Sequence, residues 1–225
     1  MDLAQRLAEA QGRAAHLFAA IEREGTVRAG RTESEISAAI VELAKAEFGV
    51  QKHWHRPMVR VGPHTRLLFR ERPPDRRVLD DDIVSLDLGP VFADEEADFG
   101  RTYVVGADPS KLRLRDDLER IFRACCAHYF SRPQMTGREL FEHVGRVCSA
   151  RGWTFGGEHA GHLIGAFPLS REERDAPRNR IRPDNEWPMN DPGADGQPRH
   201  WVLEIHLLDP TGEFGGFYEQ LLLPP

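Results

Sequence analysis

Cysteine is scarce in this chain: three residues, two of them adjacent at Cys125 and Cys126 and one at Cys148. That excludes a disulfide framework, and without a Cys-x-x-Cys pair it excludes the common thiolate metal spacings as well. No apolar run is long enough to span a bilayer. The start, Met1-Asp2-Leu3-Ala4-Gln5-Arg6, leads into a charged amphipathic helix and not into a signal peptide. Positive charge is also in deficit: a net charge of -6 and a pI near 5.9 argue against a general nucleic-acid surface. What remains is an ordinary globular profile, 40% hydrophobic and 29% charged over 225 residues, enough for one sizeable core or two closely packed halves. A reducing cytoplasm is the expected setting, with the cysteines as core residues on helices.

The chain alternates helical and extended patterns. Leu3, Leu7, Ala10, Ala14, Leu17, Phe18 and Ile21 follow the helical period. Thr32 with Glu35 forms a capping-box signature that opens a second helix through Ile36, Ile40, Leu43, Ala44 and Phe48. Residues 51–62 read as a strand, with His53 and His55 on one face, lining a pocket, and Trp54 opposite. Nothing in their spacing demands a metal. Residues 83–89 and 98–106 read as two more strands, with Gly89-Pro90 as the turn after the first and Asp80-Asp81-Asp82 as a solvated turn before it. Helices follow over 112–130 and from the Thr136/Glu139 capping box to about Arg151. Strands at 201–208 and 214–223 close the chain, after a Pro/Gly/charge-rich loop at 170–199 that is expected to border the active site. The order helix-helix-strands, then helix-helix-strands, suggests a duplicated α+β layout with halves of about 1–110 and 111–225.

Several carboxylates sit where they are costly. Alternation puts Ser85, Asp87 and Gly89 on one face and Val84, Leu86 and Leu88 on the other, so Asp87 interrupts an apolar strand. Asp98 shares a face with Gly100 and Thr102 on the next strand, and two such aspartates repel unless a cation lies between them. His159 and His162 lie in a glycine-rich turn. Glu204 and His206 share one face of an apolar strand, and Glu219 sits in the last strand. Carboxylates and an imidazole in such surroundings need a shared countercharge, and two divalent cations balance four carboxylates.

The order Asp87, Asp98 eleven residues later, His162 in a Gly-His-x-x-Gly turn, Glu204 and Glu219 resembles the pita-bread metalloenzymes. That family includes the methionine aminopeptidases, aminopeptidase P, prolidase and creatinase. Asp-Phe-Gly-Arg-Thr-Tyr-Val-Val-Gly (98–106) resembles its second-ligand strand. The resemblance runs from about residue 5 to the end. It implies one pita-bread catalytic domain over 1–225, in which duplicated helix-helix-strand halves surround a curved antiparallel sheet. It also implies that Asp98 and Glu219 bridge two metals, that Asp87 holds one, and that His162 with Glu204 holds the other. Mn, Fe, Co and Zn all suit such a donor set. Glu204 would double as acceptor of the attacking water's proton.

The chain departs from that family at two histidines that contact the substrate in peptidase members. Phe69 stands at one position and Leu169 at the other, seven residues after His162. Losing one oxyanion donor costs about 2.7–4 kcal/mol of transition-state stabilisation. His206 leads as the replacement, then His159, with His64 near Phe69 third and more simply a structural histidine. Three functions are consistent with these residues. The first is a metal-dependent hydrolase of a peptide or small amide. The second is the same scaffold turned to other metal chemistry, such as iron-dependent oxidation of a specialised metabolite. The third is a non-catalytic binding module, ranked last because all five ligand positions are kept. The expected partner is a small peptide or small-molecule substrate, with no nucleic acid and no membrane, and a homodimer left open.

Overall fold

A computed structural model describes residues 1–193 and 195–224, the side chain of Arg171 apart. The first run of elements is α1 (Leu3–Arg23), α2 (Glu33–Phe48), β1 (His53–Val61), β2 (Ile83–Phe92), β3 (Glu95–Glu96) and β4 (Phe99–Val104). The second is α3 (Pro109–Phe130), α4 (Gly137–Ala150), β5 (Thr154–Phe155), β6 (Gly161–Ile164), α5 (Arg171–Asp175), β7 (His200–Leu208) and β8 (Gly215–Leu221). Local chemistry sets the helix starts. Thr32 and Thr136 each accept from the backbone three residues on, and Glu35 and Glu139 return the bond. Helix α3 begins three residues before the periodicity does, because Asp108 caps it and Pro109 fits a first turn that needs no N–H donor.

The strands form an antiparallel sheet in the order β1-β2-β4-β8-β7-β5, with β3 on β2 and β6 on β7. Apolar side chains from one face of the sheet meet the helices in two clusters. One gathers Ala14, Leu17, Ile36, Ile40, Leu86 and Leu88 from α1, α2 and β2. The other gathers Leu114, Ile121, Leu140, Val144, Leu203 and Ile205 from α3, α4 and β7, together with all three cysteines, which are free and buried. Each fully buried leucine or isoleucine there contributes about 1.5–3 kcal/mol. Alternation then sends Asp87, between Leu86 and Leu88, and Glu204, between Leu203 and Ile205, to the opposite face.

Three sequence expectations change. Gly89-Pro90 does not end β2, which continues to Phe92, and the reversal comes at Ala93 (φ 56°). Proline is tolerated there because the β1–β2 register is irregular beside it, between His53, paired with Pro90, and His55, paired with Gly89. That irregularity also overturns the alternation expected for β1: Trp54 does not point away from His55, and both rings lie over Gly89. In the acidic run, Asp82 is buried and accepts from Leu79 N at 2.9 Å, so only Asp80 and Asp81 are solvated.

Candidate metal centre

One row of residues crosses the middle of the sheet. Asp87 on β2 pairs with Gly100 on β4, Gly100 with Glu219 on β8, and Glu219 with Glu204 on β7. Residues directly opposite one another on adjacent strands project from the same face. Three carboxylates therefore stand side by side, and the one position without a side chain is Gly100. A Cβ there would lie 2.6 Å from the Phe217 ring and 3.1 Å from Glu219 Cβ. The glycine makes room for the cluster.

Asp98, just before β4, and His162, on β6, close over this row. His162 Nε2 lies 3.1 Å from Asp98 Oδ2 and 3.9 Å from Glu204 Oε1. Its Nδ1 donates to Leu163 O at 2.8 Å, which fixes the tautomer. Asp98, His162 and Glu219 offer ligand atoms within 4.8 Å of one another, and all three are buried. The five positions Asp87, Asp98, His162, Glu204 and Glu219 are thus brought together.

The surrounding charges act on one another. Burial, then Asp98, Glu204 and Asp87, push the Glu219 carboxyl well above the usual range. Burial also raises Asp87, against the pull of His55. Asp98 falls below the usual range because His162 and His55 outweigh its burial. Glu204 is likewise lowered: burial opposes its charge, and His159 and His162 restore it. Two buried oxygens, Asp87 Oδ1 and Asp98 Oδ1, accept no hydrogen bond. Orphaned carboxylate oxygens of this kind fit a divalent cation.

The remaining candidates separate. His159 reaches the cluster: Nδ1 lies 3.3 Å from Glu204 Oε1, while Nε2 accepts from Arg180 Nη1 at 2.8 Å. Arg180 in turn donates to Asp175 Oδ1 at 2.8 Å. His206 turns a ring nitrogen to the backbone. It is buried two residues from Glu204, and its Nε2 donates to Thr65 O at 2.8 Å, which makes it a strut between β7 and the turn after β1. His64 turns to α2, where Nδ1 lies 2.9 Å from Glu33 Oε1; that glutamate also accepts from Val61 N. Phe69 is half exposed and meets His55 edge-on, ring centroids 5.5 Å apart. Leu169 is held through its backbone N–H, 3.4 Å from Glu96 Oε1.

Sequence reasoning gave too little weight to His55 and missed the wall around it. His55 Nε2 lies 3.3 Å from Asp87 Oδ1 and 3.5 Å from Asp98 Oδ1. Trp54 packs edge-on to both His55 and His162, at 4.3 and 5.6 Å. Arg174, from the 170–199 segment, stacks on Trp54 at 4.1 Å and donates to both oxygens of Glu96 at 2.7 and 3.0 Å. The segment is also bonded to the histidine turn, Ala160 N to Ile181 O at 2.7 Å and Ile181 N to Gly161 O at 2.8 Å. The available signal was Gly89, which faces the irregular part of β1 and leaves space for two rings.

This architecture is the pita-bread fold, and the chain belongs to metallopeptidase family M24, whose family model matches residues 5–193. Among solved structures it is similar to the dipeptidase PepE from Mycobacterium ulcerans (25% identity, TM-score 0.76, 96% of this chain and 53% of that one). The prolidase from Pyrococcus furiosus shares the fold at 22% identity, with a TM-score of 0.71 over 96% of this chain and 58% of that one. So does the methionine aminopeptidase from Thermotoga maritima, at 16% identity and a TM-score of 0.66 over 93% and 87%. The chain thus spans a little over half the length of the dipeptidase and the prolidase. No curated protein sequence matches it. Among the described residues no helix is long and apolar enough to cross a membrane.

Proposed function

We propose that the protein is a dinuclear divalent-metal hydrolase that cleaves a peptide bond or small amide in a small substrate. The observation that carries this reading is the row of Asp87, Glu219 and Glu204, closed by Asp98 and His162, in a chain of a metallopeptidase family. In this assignment Asp98 and Glu219 would be shared by the two ions, Asp87 would hold one, and His162 with Glu204 would hold the other. Oxygen donors with imidazole suit Mn, Fe, Co or Zn.

When bound, such a pair lowers the pKa of a water molecule and polarises a carbonyl. The protein's own groups do the rest. Glu204 stays ionised because His159 and His162 offset its burial, and it accepts the proton of the attacking water. His159, held by Arg180, orients that carboxylate. Phe69 and Leu169 bring no side-chain donor to the positions where the related peptidases carry histidine. The substrate is therefore one whose developing charge needs less help than that of a standard peptide.

The test is a panel of Xaa-Pro, N-terminal Met and acyl-amide substrates, with the metal-reloaded protein and Asp98→Ala in parallel. Turnover that requires added metal and disappears in Asp98→Ala is expected; no metal-dependent turnover on any member overturns the hydrolase. A second reading, iron-dependent oxidation of a specialised metabolite, is motivated by Phe69 and Leu169 standing where family peptidases carry histidine while all five ligand positions are kept. Oxygen uptake by the iron-loaded protein supports it, and inertness toward oxygen and reductant removes it.

A further inference from the structure

His55 has the placement of a metal ligand. We propose that it is a sixth protein ligand of the centre, binding through Nε2 the ion held by Asp87 and Asp98, so that each of the two ions carries one imidazole. The proposal rests on the dinuclear reading above and goes beyond it, because the five ligand positions supply nitrogen to one side only.

Three independent features support it. The first is how the ring is held. A carbonyl oxygen can only accept, so the 2.7 Å contact between His55 Nδ1 and Arg56 O puts the proton on Nδ1 and turns the Nε2 lone pair inward. His162 is held the same way, Nδ1 to the carbonyl of the next residue, Leu163, at 2.8 Å. Metal-binding histidines characteristically donate their other ring N–H to a carbonyl or carboxylate in this manner. The two rings flank Asp98, His55 toward Oδ1 at 3.5 Å and His162 toward Oδ2 at 3.1 Å.

The second is where the atoms converge. One ligand atom each from His55, Asp87 and Asp98 lie within 4.8 Å of one another, and so do those of Asp98, His162 and Glu219. The two groups share Asp98 and nothing else. Although Nε2 is 3.3 and 3.5 Å from Asp87 Oδ1 and Asp98 Oδ1, neither oxygen accepts a hydrogen bond. The three ligand atoms thus gather at long hydrogen-bond range without a well-formed bond between them, an arrangement that suits donors to one cation.

The third is that the fold is shaped around the ring. The register shifts on either side of His55 turn it toward β2, and Gly89 opposite provides the space: a Cβ there would lie 2.3 Å from His55 Cδ2 and 2.5 Å from Trp54 Nε1. Trp54 and Phe69 wall the imidazole, whose side chain is 6% exposed. With His55 included, the donors are four carboxylates and two imidazoles. That is the composition of the di-iron and di-manganese carboxylate sites of helical bundles.

The experiment is Co(II) titration of chelator-stripped wild type, His55→Gln, His162→Gln and, as a neighbouring control, His53→Gln. Stoichiometry and the visible ligand-field bands are read alongside far-UV circular dichroism. Wild type and His53→Gln are expected to bind two ions. His55→Gln is expected to weaken one of them by at least about 10–100-fold, the loss that even an outer-shell partner brings, and to lose a different set of bands from His162→Gln. Identical stoichiometry, affinity and bands in wild type and His55→Gln overturn the assignment while leaving the dinuclear reading intact; no cobalt binding in wild type overturns both. X-ray absorption of the cobalt-loaded wild type needs no variant. An average of one imidazole per ion supports the proposal, and half that number overturns it.

Discussion

Asp98 separates two sides of the cluster that are built differently. On one side, His55 and Asp87 come from the adjacent strands β1 and β2, and what aims the imidazole is an irregular backbone register with Gly89 beneath it. On the other, His162 and Glu204 come from β6 and β7, and behind Glu204 runs a polar chain through His159 and Arg180 to Asp175. The first side is fixed chiefly by the sheet, with Phe69 beside the imidazole and Arg174 stacked on Trp54. The second depends on residues outside the sheet, Asp175, Arg180 and Ile181 among them, being packed in place. Substitutions on the His55 side should therefore act through ligand geometry, and those on the His159 side also through the order of those residues.

On the dinuclear reading Asp98 serves both sides, as Glu219 does, so Asp98→Asn should have the largest effect of the three variants compared: the loss of both ions. Asp87→Asn and Glu204→Gln should each weaken one ion and spare the other. Elemental analysis and calorimetric titration of the three variants check this. Equal losses in all three would mean that the sides do not bind separately.

The next effect tests what holds the 170–199 segment. Arg174 donates to both oxygens of Glu96, whose side chain has no solvent exposure, and stacks on Trp54. Arg174→Ala leaves that carboxylate buried with only the long contact from Leu169 N, at an expected cost of about 3–5 kcal/mol in urea unfolding. Arg123→Ala, which breaks an exposed i,i+4 pair with Glu119, should leave the urea midpoint almost unchanged. A small loss in Arg174→Ala would show that the segment is held by its backbone bonds to the histidine turn.

These two sides also differ in how far they could be read from sequence. Asp87, Glu204 and Glu219 are legible because a charge in an apolar, period-two strand has few explanations, and His162 because glycines surround it. Helices α2 and α4 are legible through their capping boxes, and α1 and α3 through their apolar period. His55 is not, because its orientation comes from register shifts that alternation cannot anticipate; the same shifts place Trp54 against His162. His206 misleads for the opposite reason. Its face is shared with Glu204, but a long-range partner, the carbonyl of Thr65, takes its ring nitrogen. Arg174 and Glu96 are 78 residues apart, and nothing local announces their pairing.

A second histidine pair provides the smallest and last test, because its two rings lie together without the carboxylates of the candidate metal centre. His128 on α3 and His143 on α4 stack at 3.6 Å with their planes 7° apart, half-buried. Burial, then His128, Arg146 and Arg132, lower the His143 pKa to about 4. A histidine whose folded pKa is depressed stays neutral in the native state while the unfolded chain takes up a proton near 6.5. Its contribution to stability is therefore level above about pH 6.5 and declines as pH falls toward about 4. Because the ring is partly exposed and the charges around it are screened, the decline is expected to stay under about 1 kcal/mol. Urea unfolding of wild type and His143→Gln across this window isolates it, since acid effects on the metal cluster are common to both proteins. The stability gap between them should shift in favour of His143→Gln as the solution is acidified. A gap that does not change with pH would mean that the two rings share a proton or move apart, and that closeness without carboxylates does not suffice to hold a histidine neutral here.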